Sequence, residues 1–317
     1  MSDVNAVGSM SEPARKTYLY LRVGVVGMAL LLAISLAIEI ARGEGVDILG
    51  SISAYYYTPV RGVFVGALMA VGLGLVAIKG REGAEDVLLN LAGMLAPMVA
   101  LVPTPISYTV AGYDVPRRSV PTELVPAVEN NVKAMLVLGV VAVVFAVATA
   151  ARNDTAHRQA ALRGAGFSAL VVAAFGLWFA FGRGTFLEYG HYAAAIPMFA
   201  CIVVVAWINA VQAGRPVAGV TALTNRRAYG FVAFTMGLAV VVGVVFFILD
   251  QQGSRPFPAW LFWVEAALLA LFAVFWLLQT VENAGRGLPE EAAARPTAAQ
   301  LATPGSAPAS APAGTDT

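Results

Sequence analysis

The sequence has little of what catalytic and metal-binding proteins commonly use. Its 317 residues include one cysteine, Cys201, and two histidines, His157 and His191. A single cysteine excludes a disulfide within the chain and a zinc site built from several cysteines. Two histidines exclude a metal centre that needs three or more of them. We therefore expect neither a metal ion nor a cofactor.

Charge is scarce as well. Charged residues make up 12% of the chain, and the net charge is +1. Such a balance provides no basic field that would attract nucleic acid, so we expect no nucleic-acid partner. The chain also has no Gly-rich phosphate loop followed by Lys-Ser/Thr and no G-x-S-x-G nucleophile motif. These absences argue against ATP-driven transport by this chain alone.

Long hydrophobic runs are what the sequence has in abundance. Hydrophobic residues account for 59% of the chain, and the runs recur between short polar connections. Because a helix needs roughly 20 apolar residues to cross a bilayer, we predict an all-α polytopic transmembrane helix bundle of about eight spans. The predicted spans are residues 19–41, 59–78, 87–102, 132–151, 167–181, 191–211, 229–249 and 259–280. The fifth is short for a crossing, and a re-entrant segment is the alternative there.

The distribution of Lys and Arg predicts the orientation of the bundle, because cytoplasmic loops are enriched in these residues. An even number of spans places both termini on one side, and we expect that side to be the cytoplasm. It would carry the larger basic set: Arg15, Lys16, Arg22, Lys79, Arg81, Arg152, Arg158, Arg163, Arg215, Arg226, Arg227, Arg286 and Arg295. The outer side would carry the smaller set: Arg42, Arg61, Arg117, Arg118, Lys133, Arg183 and Arg255.

The predicted domain boundaries follow from the ends of the apolar region. Residues 1–17 are polar and form the cytoplasmic N-terminal segment. The first apolar run is longer than a signal-peptide core and has no small-residue cleavage site after it, so we expect a retained helix. Residues 18–283 form the transmembrane domain. Residues 284–317 are rich in Ala, Pro and Thr without apolar periodicity, which predicts a disordered cytoplasmic tail.

Polar residues concentrate at the predicted outer ends of the spans. Glu265 is the most informative of them, because it lies about two turns into the last span, roughly 10 Å below the surface. A carboxylate at that depth is costly unless it faces a partner or water. Arg61 is the nearest candidate partner in depth, and His191 is the second. The sequence thus predicts an outward-facing pocket lined by Arg61, His191 and Glu265, with Tyr56 and Ser53 at its mouth.

A structural interpretation of the same residues stays open. An ion pair inside a bundle can serve only to hold two helices in register. The Tyr55–Tyr57 run precedes a span, where tyrosines are common because the ring is apolar and the hydroxyl is wet. Glu188 and His191 have Glu-x-x-His spacing, but the motif occurs once, whereas carboxylate di-metal bundles use it twice. A metal role for this pair is the weaker interpretation.

Three short pieces of the chain resemble an uncharacterised family of bacterial multi-spanning integral membrane proteins. One is S-x-S-x-Y-Y-Y-T at residues 51–58 followed by R-x-x-F-V-G at 61–66. The second is N-L-A-G at 90–93 leading into V-P-T at 102–104, and the third is F-W-x-E at 262–265. The family has no assigned reaction, so the resemblance implies a bacterial plasma-membrane protein and no mechanism.

Three hypotheses for function follow. The leading one is a permease-like or sensor protein that binds a small molecule or a lipid in the outer polar pocket. In it Arg61 anchors an anion or acts as counter-ion, and Glu265 is the buried charge that titrates. The second is an enzyme acting on lipid or a lipid-linked group, with Glu265 as base and His191 as acid. The third is a structural or accessory subunit. The lipid bilayer is the expected partner in each, and nothing in the sequence decides the oligomeric state.

Overall fold

The computed structural model describes residues 12–43, 48–78, 84–115, 118–152, 155–212, 222–254 and 257–283. These residues form eight α-helices and one short 3-10 helix, η1 (Ser53–Tyr57). The α-helices are α1 (Glu12–Arg42), α2 (Arg61–Ala77), α3 (Ala84–Leu101), α4 (Val125–Ala150), α5 (Thr155–Phe181), α6 (Arg183–Gln212), α7 (Ala222–Gln251) and α8 (Trp260–Asn283). Two isolated β-bridges, Ile106–Ser119 and Val110–Tyr113, are the extended pairings within these ranges. The predicted tail, 284–317, lies outside the described residues.

Seven of the helices are long and apolar enough to cross a bilayer, and α2 is a shorter apolar helix. The prediction of an all-helical polytopic membrane protein is therefore confirmed. The 17 residues of α2 span about 26 Å at the usual helical rise, slightly less than the hydrocarbon core of a bilayer. The protein is a multi-pass membrane protein by the length and composition of its helices.

The fifth helix differs from its prediction. α5 runs from Thr155 to Phe181, and its apolar part, Ala161–Phe181, has 21 residues. The helix continues through Gly164 and Gly166, next to the predicted span, where either an extension of the span or a re-entrant segment was possible. Apolar neighbours on both sides of these glycines outweigh the modest helix penalty of glycine, about 1 kcal/mol each. The short crossing is α2 instead.

Six helices form a ring in which each packs on two neighbours. The order around the ring is α1, α2, α3, α6, α7, α8 and back to α1. The main core fills this ring, with Leu75, Phe186, Phe275 and Trp276 among its fully buried side chains. The helices α4 and α5 form a hairpin outside the ring. They pack chiefly on each other, and only 6% and 11% of their spans are buried, so their apolar faces are left for lipid.

Two glycines bring the helices α2 and α3 close together in the ring. A Cβ placed on Gly72 would lie 2.9 Å from the backbone oxygen of Gly93, and one placed on Gly93 would lie 2.7 Å from that of Gly72. Neither backbone atom can move aside without shifting a helix. Small residues at such crossings let transmembrane helices approach closely. This pair fixes α2, and with it η1, against the rest of the ring.

Candidate functional site

The 3-10 helix η1 is the element that builds the site, and it is buried along its whole length. The hydroxyl of Ser51 accepts a hydrogen bond from the Ala54 amide (3.0 Å), and the hydroxyl of Thr58 donates to the Tyr55 carbonyl (2.8 Å). These side chains add a second hydrogen bond to two backbone groups of the turn, because the Ala54 amide also donates to the Ser51 carbonyl and the Tyr55 carbonyl also accepts from the Thr58 amide. Local polar residues thus allow five residues of backbone to enter the protein interior.

The tyrosines of η1 are core residues. Tyr55, Tyr56 and Tyr57 are each 5% exposed or less. Tyr55 packs against Phe262 of α8, and Tyr56 packs edge-on against Phe64 of α2. The expectation that this run forms part of an interfacial aromatic belt is therefore wrong. The rings bury η1 between helices and hold Ser53 in the interior.

Ser53 joins Glu265 of α8 to His191 of α6. Its hydroxyl lies 2.9 Å from Oε1 of Glu265 and 3.0 Å from Nε2 of His191. Its backbone amide donates to Oε2 of Glu265 at 3.1 Å. The other ring nitrogen of His191, Nδ1, lies 2.7 Å from the carbonyl of Val102 at the end of α3. Three predicted pocket residues therefore form one continuous hydrogen-bonded chain, with Ser53 at its centre rather than at a pocket mouth.

Counting the hydrogens on Ser53, His191 and Glu265 shows which proton positions these hydrogen bonds allow. The Val102 carbonyl only accepts, so Nδ1 of His191 carries a hydrogen. Ser53 has one hydroxyl hydrogen for two partners. If Ser53 donates to Glu265, Nε2 must carry a proton, and the outer members form an ion pair. If a protonated Glu265 donates to Ser53, the hydroxyl donates to Nε2, and both outer members are neutral. The two arrangements differ only in the position of protons along these hydrogen bonds, which is the property of a proton relay. Glu265, Ser53 and His191 are called the relay below.

Arg61 lies outside this chain, contrary to the expected pairing with Glu265. Its Nε donates to the carbonyl of Tyr56 at 2.7 Å, and its guanidinium lies 4.8 Å from the centre of the Tyr56 ring. Arg61 begins α2, one residue after the turn that follows η1, so its side chain folds back on the nearest carbonyl and ring. Arg61 and Tyr56 thus stabilise η1 from the side that faces α2.

A second polar layer covers the relay on the side of the loop between α3 and α4. The hydroxyl of Tyr57 donates to the carbonyl of Thr104 (2.7 Å), and the hydroxyl of Thr104 bonds that of Tyr192 (2.6 Å). Arg118 donates to the Tyr192 hydroxyl (2.8 Å) and pairs with Asp250 at 3.5 Å. Burial raises the pKa of Tyr57, which keeps its hydroxyl a donor at neutral pH.

An apolar cleft between α6, α7 and α8 ends at the relay. Its empty space, which includes open solvent at the mouth, is about 570 Å³. His191 and Glu265 lie at its polar end, and Phe199, Val240 and Leu268 lie at the far end. The complete lining is His191, Tyr192, Ala195, Ile196, Phe199, Val240, Gly243, Val244, Phe247, Leu261, Val264, Glu265 and Leu268. Ser53 is not part of it, so the cleft exposes the two ends of the relay and hides its centre.

A second apolar cavity lies inside the ring and shares one wall with the cleft. It is lined by α1, α2, α6 and α8, with Ala29, Val71 and Ile202 among its residues. Phe199 lines both spaces. Leu268 lines the cleft, and the next residue, Leu269, lines the cavity. A single aromatic ring and one side of α8 thus separate the two spaces.

At the opposite end of the bundle, Arg22 of α1 is buried without a carboxylate contact among the described residues. It donates to the Gln279 amide oxygen and to the Tyr18 hydroxyl, both at 2.8 Å. Its guanidinium lies 4.7 Å from the Tyr18 ring centre and 5.5 Å from that of Trp276. These contacts tie α1 to α8 and close the ring.

The described residues contain no group of three or more His, Cys, Asp or Glu side chains that could hold a metal ion. His191 already uses both ring nitrogens in the relay, so a metal-binding pair with Glu188 would require breaking that chain. The arrangement suits proton transfer and hydrogen bonding to a ligand rather than metal coordination.

Sequence reasoning missed three residues of this region: Tyr192, Thr104 and Phe199. Tyr192 follows His191 directly, and Thr104 lies in the Val-Pro-Thr segment already singled out, so a signal existed for both. Phe199 is one of 16 phenylalanines and carries no distinguishing signal. Comparison of the chain with protein-family models, curated proteins and solved structures gave no match. Membership in the bacterial family that the motifs resemble stays a prediction.

Proposed function

We propose that the chain is a permease-like protein of the bacterial plasma membrane that binds a small, largely apolar ligand in the cleft. The η1 end of the bundle, where the relay lies, would face outside, as the distribution of Lys and Arg indicates. The observation that carries the proposal is the presence of two titratable groups, His191 and Glu265, side by side in the lining of a mostly apolar cleft. Such pockets, mostly apolar with a few convergent polar groups, are typical ligand sites.

The second cavity favours a permease over a sensor. A ligand in the cleft is separated from the interior of the ring by Phe199. Pro197 lies two residues earlier inside α6. A proline removes one helical hydrogen bond and is a common cause of kinks in long helices. Rotation of Phe199 or bending of α6 at Pro197 would therefore join the two spaces into one path.

The experiment measures ligand binding to the full chain in lipid nanodiscs by titration calorimetry, with empty nanodiscs subtracted. The probes are decylamine, decanol and decanoate, which share one chain and differ in the head group. Ala195 lines the cleft, and Ala195→Phe fills it without changing its charge. Ala142 is exposed on α4, so Ala142→Phe is a matched control that adds the same ring on the lipid-facing surface.

We expect at least one probe to bind the native chain and Ala142→Phe with similar Kd, and to bind Ala195→Phe at least roughly tenfold more weakly. Absence of binding by all three probes, or equal binding by both variants, would refute the proposal. The orientation has its own test. Leu261→Cys at the cleft should react with a membrane-impermeant thiol reagent added to intact cells, whereas the native Cys201, which is buried, should not.

An enzyme acting on lipid is the second candidate, and one observation favours it. His191 and Glu265 face the same cleft and exchange protons through Ser53, which is the arrangement of a general acid and base. Ser53 itself is hidden from the cleft, so a covalent intermediate on its hydroxyl is disfavoured. Mass spectrometry of membrane lipids incubated with the native chain, and with Glu265→Gln, would detect a product that only the native chain forms.

A further inference from the structure

We propose that the ligand of the cleft is a lipophilic monocation, an amine with an apolar body. Its ammonium group would bind Glu265, and its body would extend along α6, α7 and α8 toward Phe199. This inference rests on the proposed function, because it names the substrate class of the same cleft. It is carried by the hydrogen-bonding capacity left in the lining, by the aromatic rings of the cleft and by the length of the apolar groove.

The hydrogen-bonding capacity left in the lining favours a cation. Glu265 is the one acidic side chain among the residues that line the cleft, and the only basic one is His191. Both ring nitrogens of His191 are already hydrogen-bonded. Each carboxylate oxygen of Glu265 accepts one hydrogen bond from Ser53 and keeps a second lone pair for a ligand. A carboxylate or phosphate head would instead meet this acidic group.

Aromatic rings line the cleft together with the carboxylate. Tyr192, Phe199 and Phe247 line the same cleft, and cations bind favourably over the faces of such rings. Arg118 already uses two of them: its guanidinium lies 5.4 Å from the Tyr192 ring centre and 5.5 Å from that of Phe247. The charge of Arg118 is balanced by Asp250. A cation of the protein therefore already lies against this aromatic wall, with its charge paired to Asp250.

The groove has the length of a short amphiphile. His191 and Phe199 lie just over two turns apart on α6, which places about 12 Å between the polar end and the far end. Three residues between them face the cleft: Tyr192, whose hydroxyl is already bonded to Thr104 and Arg118, and the apolar Ala195 and Ile196. Val244 and Val240 on α7 are apolar as well. A ligand with one charged group and an apolar body of this length fits the cleft, whereas a ligand with polar groups along its length would leave them unpaired.

The test compares head groups on the native chain and on two glutamate variants in nanodiscs. We expect decylamine, protonated at neutral pH, to bind roughly tenfold to hundredfold more tightly than decanol, the range expected for a partly buried charged hydrogen bond. Glu265→Gln should abolish this preference. Glu129 lies on α4 and pairs with Arg183 away from the cleft, so Glu129→Gln is the matched control and should keep it.

Equal binding of decylamine and decanol by the native chain, or tightest binding of decanoate, would overturn the cation while leaving the cleft as a ligand site. Absence of binding by all three probes would overturn the proposed function itself. Retention of the amine preference in folded Glu265→Gln would overturn the role of that carboxylate. Because the head-group comparison needs only the native chain, it decides the substrate class even where Glu265→Gln cannot be recovered in folded form.

Discussion

Replacing Ser53 by alanine tests the relay at its centre. Ser53→Ala removes the hydroxyl that contacts Oε1 of Glu265 at 2.9 Å and Nε2 of His191 at 3.0 Å. It retains the backbone amide that donates to the other carboxylate oxygen. His191 is 2% exposed, so its Nε2 would be left unpaired in the interior. Leaving a buried polar group unpaired costs about 1–3 kcal/mol, and the lost bond of the partly exposed Glu265 adds about 0.5–1.5 kcal/mol.

We therefore expect Ser53→Ala to lower the free energy of unfolding by about 1.5–4.5 kcal/mol. Reversible unfolding by SDS in mixed micelles, followed by circular dichroism, measures this quantity. Ser51→Ala is the matched control, because Ser51 is also buried but contacts only the Ala54 amide. Losing one neutral hydrogen bond there should cost about 0.5–1.5 kcal/mol.

A double-mutant cycle separates a connected chain from independent contacts. When Glu265 is already glutamine, the removal of Ser53 Oγ takes away a weaker interaction, so the double variant should be less destabilised than the sum of the single variants. Directly contacting residues usually show coupling of about 0.5–3 kcal/mol. Equal stability of Ser53→Ala and Ser51→Ala, or strict additivity of Ser53→Ala and Glu265→Gln, would refute the reasoning.

Three further predictions concern the packing that supports the site. Gly72→Ala should destabilise the protein by about 1–3 kcal/mol in the same unfolding assay, because the added Cβ would lie 2.9 Å from a backbone oxygen of α3. Gly66→Ala is the control and should be neutral or stabilising, because no atom lies within 4 Å of its added Cβ. Burial raises the pKa of Tyr57, so native stability should fall as the pH rises above about 10, where the unfolded chain alone ionises. Tyr57→Phe should weaken this fall of stability with pH. An unchanged dependence of stability on pH in the variant would contradict the prediction. Arg22→Lys should cost about 1.5–3 kcal/mol in the unfolding assay, because lysine lacks the fork of donors that reaches both Gln279 and Tyr18.

The helices were predictable from the sequence because their signal is long and redundant. A run such as residues 229–249 contains enough apolar residues that no single substitution would change its assignment, and α7 covers it completely. The ends of the helices were less predictable than their existence. α1 begins at Glu12 rather than at residue 19, because helical hydrogen bonding continues past the apolar segment into polar residues that water can also solvate. The part of a helix that crosses the lipid can therefore be shorter than the helix itself.

The sequence predicted which residues belong to the site but not which of them contact each other. Glu265 and His191 were recognisable because an ionisable residue inside an apolar run needs a partner. Depth alone suggested Arg61 as that partner, but depth does not specify which side of a helix a residue occupies. The burial of η1 determines which side chains reach Glu265, and this burial depends on how Tyr55 packs against Phe262. Tyrosine is equally compatible with a membrane interface and with a core, so the sequence could not show that Ser53 enters the interior.

The geometry of the relay also bears on whether its residues serve packing alone. Buried polar groups can often be replaced by apolar ones of similar volume without loss of stability, so stability alone does not require Ser53, His191 and Glu265 together. Here the chain connects η1, α6 and α8, and it closes the end of a cleft that lies between α6 and α8. Each proton arrangement keeps every bond in the chain, so charge can be created or removed beside the cleft without unpairing a buried group. A purely structural contact has no need of that property, whereas a site that meets a charged ligand in an apolar surrounding does.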